Sequence, residues 1–120
     1  MQWMLIMRDD DAAAIERRDG DVSAMMAAMG AYNDRLAHAG ALVTAVGLDV
    51  PERGAVVHFG GTPPLVTDGP YGEIKELFNG FWIVEAPDLA TATALAADAP
   101  LAAGMHLEVR RVHGDADLPG

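Results

Sequence analysis

The spacing of apolar residues along the chain predicts strands and helices in alternation. Apolar side chains fill both faces of residues 2–8, which is typical of a strand that is buried on both sides. Further along, four apolar residues recur at helical intervals and so share one face of a helix: Met25, Met29, Tyr32 and Leu36. Asp21 or Ser23 can cap the start of this helix and Gly40 can end it, so we predict a helix over 23–39.

The second half of the chain predicts a hairpin, two more strands and another helix. Residues 55–59 and 65–67 predict a hairpin around the loop 60–64, which reads Gly-Gly-Thr-Pro-Pro. Asp88 is placed to cap a helix over 88–98. Its expected buried stripe is Leu89, Ala92, Leu95 and Ala96. The remaining predicted strands are 41–48, 79–86 and 105–113.

Without the inserted hairpin, this order is the β-α-β-β-α-β of ferredoxin-like folds, an α+β split βαβ. Both helices are then expected on one face of an antiparallel sheet. The other face would carry an apolar patch that a second copy of the chain could cover: Met4, Ile6, Phe81 and Ile83. We therefore predict a homodimer of one domain, residues 1–113, with a polar tail at 114–120.

The composition narrows the classes of partner and compartment. The chain has 120 residues, no cysteine, and 8 Lys and Arg against 18 Asp and Glu, giving a net charge of −10. This charge repels phosphate backbones and anionic lipid, so neither nucleic acid nor a membrane surface is an expected partner. The lack of cysteine excludes thiolate sites and disulfides, and the N-terminus lacks the pattern of a signal peptide. We expect a cytoplasmic protein.

Neither a metal nor an organic cofactor is predicted. The four histidines show no metal-ligand spacing, and the Gly60-Gly61 pair lies in the predicted hairpin rather than at the start of a helix.

Asp68 and His58 are the candidate catalytic residues. A carboxylate in a cleft can act as a general base. The alternative, which we favour, is that the side chain of Asp68 bonds nearby backbone N–H groups and shapes the turn at 68–72. If 59 pairs with 65 across a five-residue loop, His58 and Asp68 become diagonal neighbours on one face. A change of one residue in the loop length places them on opposite faces, and His58 is then an ordinary strand histidine.

The other candidate residues suit the binding of a small organic ligand. We expect Tyr71, Glu73, Lys75 and Arg110 to converge with Asp68 on one cleft near the turn at 68–72. Lys75 or Arg110 could hold an anionic group, Glu73 could take a proton, and Tyr71 could form a wall of the cleft. Glu108 shares a strand face with Arg110. The alternative is structural: Glu73 and Lys75 lie in solvent, and Glu108 and Arg110 form an ion-pair network that fixes the dimer register.

Residues 67–76, Thr-Asp-Gly-Pro-Tyr-Gly-Glu-Ile-Lys-Glu, resemble the signature of DGPF-type members of the YCII-related family. The sequences Gly80-Phe81-Trp82-Ile83 and 99–104 match the family as well. The resemblance implies a dimeric α+β barrel with a cleft in each protomer, and a link by gene neighbourhood to sigma-factor signalling. It implies no settled activity.

One position departs from the family pattern. Simpler relatives carry a histidine in the first helix that is proposed to pair with an aspartate, and the matching place here falls near Met29. The His–Asp chemistry therefore does not carry over. This favours a homodimeric ligand-binding or accessory protein; the alternative is a cofactor-free lyase or isomerase acting on a small acidic or aromatic substrate.

Overall fold

The structure, a computed structural model, describes residues 1–10, 22–49, 53–68, 76–101 and 104–114. In chain order, the elements within these ranges are β1 (Gln2–Asp10), α1 (Val22–His38), β2 (Leu42–Gly47), β3 (Ala55–His58), β4 (Leu65–Asp68), β5 (Glu76–Glu85), α2 (Leu89–Ala97) and β6 (His106–Arg111). No helix in the described ranges is long and apolar enough to cross a membrane.

Four strands form one antiparallel sheet in the order β2-β5-β1-β6. One face of this sheet packs against both helices and forms the core. Its buried members are Trp3, Leu5, Tyr32, Leu36, Ala41, Trp82, Val84, Ala86 and Ala92. Because Tyr32 comes from α1 and Ala92 from α2, both helices cover the same face. The α+β, ferredoxin-like arrangement predicted from the sequence is confirmed at this level.

The opposite face of the sheet is free of helices in the described part of the chain. Alternation along the paired strands places Met4 and Ile6 of β1 beside Ile83 and Phe81 of β5 on this face. Ile6 is buried and the other three are half-buried. The apolar patch therefore lies where the sequence predicted it.

The structure contains the terminating glycine of α1 and the N-cap of α2 that the sequence predicts. At the end of α1, Gly40 has φ +72°, its N–H bonds the Ala37 carbonyl, and the Ala41 N–H bonds the Leu36 carbonyl. This is the Schellman arrangement, which needs a residue in the left-handed region. At the start of α2, Asp88 Oδ1 accepts a hydrogen bond of 2.8 Å from the Thr91 N–H, as an N-cap does.

The strand predicted over 79–86 begins three residues earlier, at Glu76. Residues 76–78 pair with the end of β1, and a register shift then opposes Met7 to Gly80 and Arg8 to Phe78. At this bulge Gly80 has φ +154° and lies directly against the backbone of β2. A polar residue and a glycine interrupt the alternation here, which is why the pattern alone placed the start of the strand too late.

Strands β3 and β4 form the predicted hairpin as a separate two-stranded sheet. The pairs are Val57 with Val66 and His58 with Leu65, so the connecting loop is 59–64. The five-residue loop 60–64 expected from the sequence is wrong by one residue. The apolar side chains of the hairpin are open to solvent: Val57, Phe59, Leu65 and Val66 are 47%, 83%, 64% and 60% exposed.

Candidate functional site

The register of the hairpin separates the two candidate catalytic residues. Asp68 pairs with Ala55 and His58 pairs with Leu65, so their side chains point to opposite faces of the hairpin. His58 Nε2 instead lies 2.9 Å from the Thr67 hydroxyl oxygen, on its own face. The His58–Asp68 pair considered from the sequence therefore does not form, because the loop is one residue longer than assumed.

Most of the charged turn, by which we mean residues 68–76, lies outside the described residues. Asp68 ends β4 with an exposed side chain. Tyr71, Glu73 and Lys75 lie outside the described ranges. The expected convergence of these side chains with Asp68 and Arg110 on one cleft stays a prediction.

Glu108 and Arg110 lie on the helix-free face of β6, in an ion-pair network that includes Arg8 of β1. Arg8 Nε lies 3.0 Å from Glu108 Oε1, and Arg110 Nε lies 3.8 Å from Glu108 Oε2. The side chain of Arg110 is 68% exposed and that of Glu108 is 41% exposed. Exposed pairs of this kind contribute about 0–1 kcal/mol. The network joins β1 to β6, and Arg8 was not among the residues predicted from the sequence.

A cleft of about 180 Å³ lies between α1 and the end of the sheet where β2 meets β5. We call it the α1 cleft. Its described lining residues are Met7, Met29, Asn33, Ala45, Val46, Gly47, Phe81 and Trp82. Ala45 and Gly47 face α1 with little or no side chain, and the bulge glycine Gly80 brings the two strand backbones together beside them. Space therefore remains beneath α1 that larger strand residues would fill.

The polar side chains of the described lining, Asn33 and Trp82, form an amide–indole pair. Trp82 Nε1 donates a hydrogen bond of 2.7 Å to Asn33 Oδ1. Trp82 is 4% exposed, and its ring meets that of Tyr32 edge to face, with centroids 5.4 Å apart and an angle of 88° between the planes. Such contacts fix aromatic rings in place. The indole and the amide are thus held in one orientation at the cleft wall.

Tyr32, whose ring packs against Trp82, links α1 to α2 through a hydrogen bond. Its hydroxyl donates a hydrogen bond of 2.7 Å to the Leu95 carbonyl, and the residue is 1% exposed. Burial, helped by the negative charge of Asp98 and opposed by Arg35, raises the pKa of Tyr32 from 10.0 to about 12. Tyr32 therefore stays protonated and acts as a structural hydrogen-bond donor.

None of the described side chains that line the α1 cleft is titratable in the neutral range. The described part of the chain also holds no group of three His, Cys, Asp or Glu side chains placed to bind a metal ion. Arrangements of this kind hold an apolar molecule and orient it through one polar contact. General acid–base chemistry would need groups other than these.

Asn33 was not among the residues predicted from the sequence. A signal was present, because Asn33 follows Met29 by four residues and so lies beside it on the helix. A polar residue at the margin of an apolar stripe is common on any amphipathic helix, however. Asn33 is informative only once the structure shows that it accepts a hydrogen bond from Trp82.

Together these elements define a small two-layer α+β domain of ferredoxin-like topology with a helix-covered apolar cleft. The sequence model of the YCII-related domain family matches residues 1–114, so this chain belongs to the YCII-related family. A search of curated proteins found no match.

Proposed function

We propose that this chain, as a DGPF-type member of its family, is a homodimeric module that binds a small organic molecule in the α1 cleft. An accessory role in signalling, linked to sigma factors, would suit such a module. The cytoplasmic location stays a prediction. The observation that carries the proposal is an apolar cleft whose described lining contains one amide–indole pair and no neutral-range acid or base.

The residues that line the α1 cleft favour binding over catalysis. Met29, near the place where simpler relatives carry a histidine, lines the cleft with a flexible thioether. Methionine adapts its shape to an apolar ligand but cannot move a proton at neutral pH. A volume of about 180 Å³ suits a molecule about the size of a single substituted ring, since a cavity of about 150 Å³ can bind benzene.

The proposed dimer rests on two apolar surfaces. The helix-free face presents Met4, Phe81 and Ile83 half-buried, and the hairpin presents Phe59 and Leu65 largely exposed. Apolar patches of this kind are characteristic of interfaces. We propose that a second copy covers the helix-free face, as in a dimeric α+β barrel, with the hairpin available to extend the contact.

A thermal-shift screen of small carboxylic acids and small neutral aromatic compounds tests the binding function. Hits are repeated on Ala45→Phe, which fills the α1 cleft, and on Ala45→Ser, which leaves it open. They are also repeated on Asp68→Asn, which alters the charged turn instead.

Binding in the α1 cleft predicts that hits lose their stabilising shift on Ala45→Phe and keep it on Ala45→Ser and Asp68→Asn. The reverse result, loss on Asp68→Asn with Ala45→Phe unaffected, would contradict the cleft as the site. It would favour the alternative of a lyase or isomerase built around the turn.

A further inference from the structure

The hydrogen-bonding roles of the Asn33 amide are fixed by its partner. An indole Nε1–H donates and cannot accept, so the atom of Asn33 that lies 2.7 Å from it must be the carbonyl oxygen. The NH₂ group of Asn33 is consequently turned away from the indole. Within the part of the chain that the structure describes, Trp82 is the side-chain partner of this amide.

The amide is also held firmly. Trp82, its hydrogen-bond partner, is buried edge-to-face against Tyr32, and Tyr32 is itself bonded to the Leu95 carbonyl. A rotation of the amide would place two donors against each other and break the bond to Trp82. Because Asn33 lines the α1 cleft and its Oδ1 faces the indole, we infer that Asn33 Nδ2 is a preorganised hydrogen-bond donor of this mainly apolar lining.

From this donor we propose the ligand class: a neutral, ring-sized apolar molecule with one carbonyl oxygen, which accepts a hydrogen bond from Asn33 Nδ2. The described lining holds no cation, so a carboxylate would enter the cleft without a counter-charge. A hydrocarbon would leave the donor unsatisfied. The inference rests on the proposed binding function and adds the chemistry that the α1 cleft selects.

Two isosteric probes isolate the carbonyl oxygen. Acetophenone carries a C=O where α-methylstyrene carries a C=CH₂, and the two are otherwise alike in shape. Dissociation constants for both are measured by saturation-transfer NMR on the wild-type protein and on Asn33→Asp. In Asn33→Asp the carboxylate still accepts the Trp82 N–H but offers no donor to the ligand. Thr93→Asp, on the exposed surface of α2, adds the same charge away from the cleft and is the control.

We expect the wild-type protein and Thr93→Asp to bind the ketone about 3-fold to 10-fold more tightly than the alkene, the range set by one hydrogen bond. In Asn33→Asp this ratio falls to one or below. Because it is a ratio for two probes of one shape, a general loss of affinity from the new charge cancels.

Equal wild-type affinities for the two probes, or a ketone preference that survives in Asn33→Asp, would overturn the carbonyl inference and leave the binding function standing. Absence of binding by both probes to the wild-type protein would overturn this inference, since each fits the cleft. The binding function is then judged separately by the thermal-shift screen with Ala45→Phe.

Discussion

Gly80→Ala is expected to destabilise the protein strongly, because a side chain at this bulge has no room. A Cβ built on Gly80 would lie 3.1 Å from Gly47 Cα and closer still to the Val46 carbonyl oxygen. Both neighbours are backbone atoms of β2 and cannot rotate aside. The φ of +154° is also one that residues with a side chain rarely adopt.

These two effects set the magnitude. Backbone strain at a disallowed φ costs about 1–3 kcal/mol, and forcing extra atoms into a packed contact costs about 1–3 kcal/mol. Together they predict a loss of about 2–6 kcal/mol in the free energy of unfolding, a large part of the stability of a domain this size.

Gly30→Ala is the matched control, since it is the same substitution in an open position. Gly30 lies within α1 and a Cβ there meets nothing within 4 Å. Replacing a helical glycine by alanine stabilises by about 0.5–1 kcal/mol. The two variants should therefore change the stability in opposite directions.

Urea unfolding followed by far-UV circular dichroism at one fixed protein concentration measures both free energies by linear extrapolation. The reasoning would be refuted by a Gly80→Ala variant within about 0.5 kcal/mol of the wild type, the range of unremarkable surface changes. Such a result would mean that β2 and β5 do not approach at the bulge, and the shape of the α1 cleft would be wrong with it.

Three further predictions concern the core, a helix cap and the assembly. Tyr32→Phe should lose about 0.5–1.5 kcal/mol at neutral pH, the value of one hydrogen bond to Leu95. The folded protein holds the Tyr32 proton up to about pH 12, whereas the unfolded chain loses it near pH 10.0. Wild-type stability should therefore fall as pH rises between these values. In urea titrations, Tyr32→Phe should show a smaller fall. Asp88→Ala should lower the melting temperature while Asp88→Ser retains the cap. The hydrogen bonds from Thr91 lower the pKa of Asp88, so the wild type should lose this advantage as pH falls through the carboxyl range. Ile83→Glu, on the helix-free face, should shift the protein from dimer to monomer in sedimentation velocity, whereas Thr93→Glu should not; a monomeric wild type would contradict the dimer.

The sequence predicted the helices well because their signals are local. The cap at Asp88 and the glycine after α1 each act within one turn, and the stripe of Met25, Met29, Tyr32 and Leu36 lies within one helix. The structure places both helices within a residue of the predicted bounds. Leu89, expected to be buried, is 54% exposed, because its position at the first turn of α2 leaves it outside the packed part of the stripe.

Two features could not be predicted from the sequence: the strand register of the hairpin and the gap that forms the α1 cleft. Because the hairpin loop is one residue longer than predicted, His58 and Asp68 lie on opposite faces of the hairpin. No local pattern in the sequence specifies the length of this loop. The α1 cleft exists because small residues of β2 lie opposite Met29 and Asn33 across a layer boundary. Such a gap is a property of two distant segments together.

The most direct test of the central claim, that the α1 cleft binds the ligand, uses the two tryptophans of the chain as reporters. Trp82 lines the cleft and bonds Asn33, whereas Trp3 bonds the Ala86 carbonyl away from it. The measurement is the position of both indole N–H signals in a ¹⁵N-correlated NMR spectrum as the strongest hit of the screen is added. We predict a saturable shift of the Trp82 signal and a stationary Trp3 signal; a hit that binds while the Trp82 signal stays in place would contradict the claim.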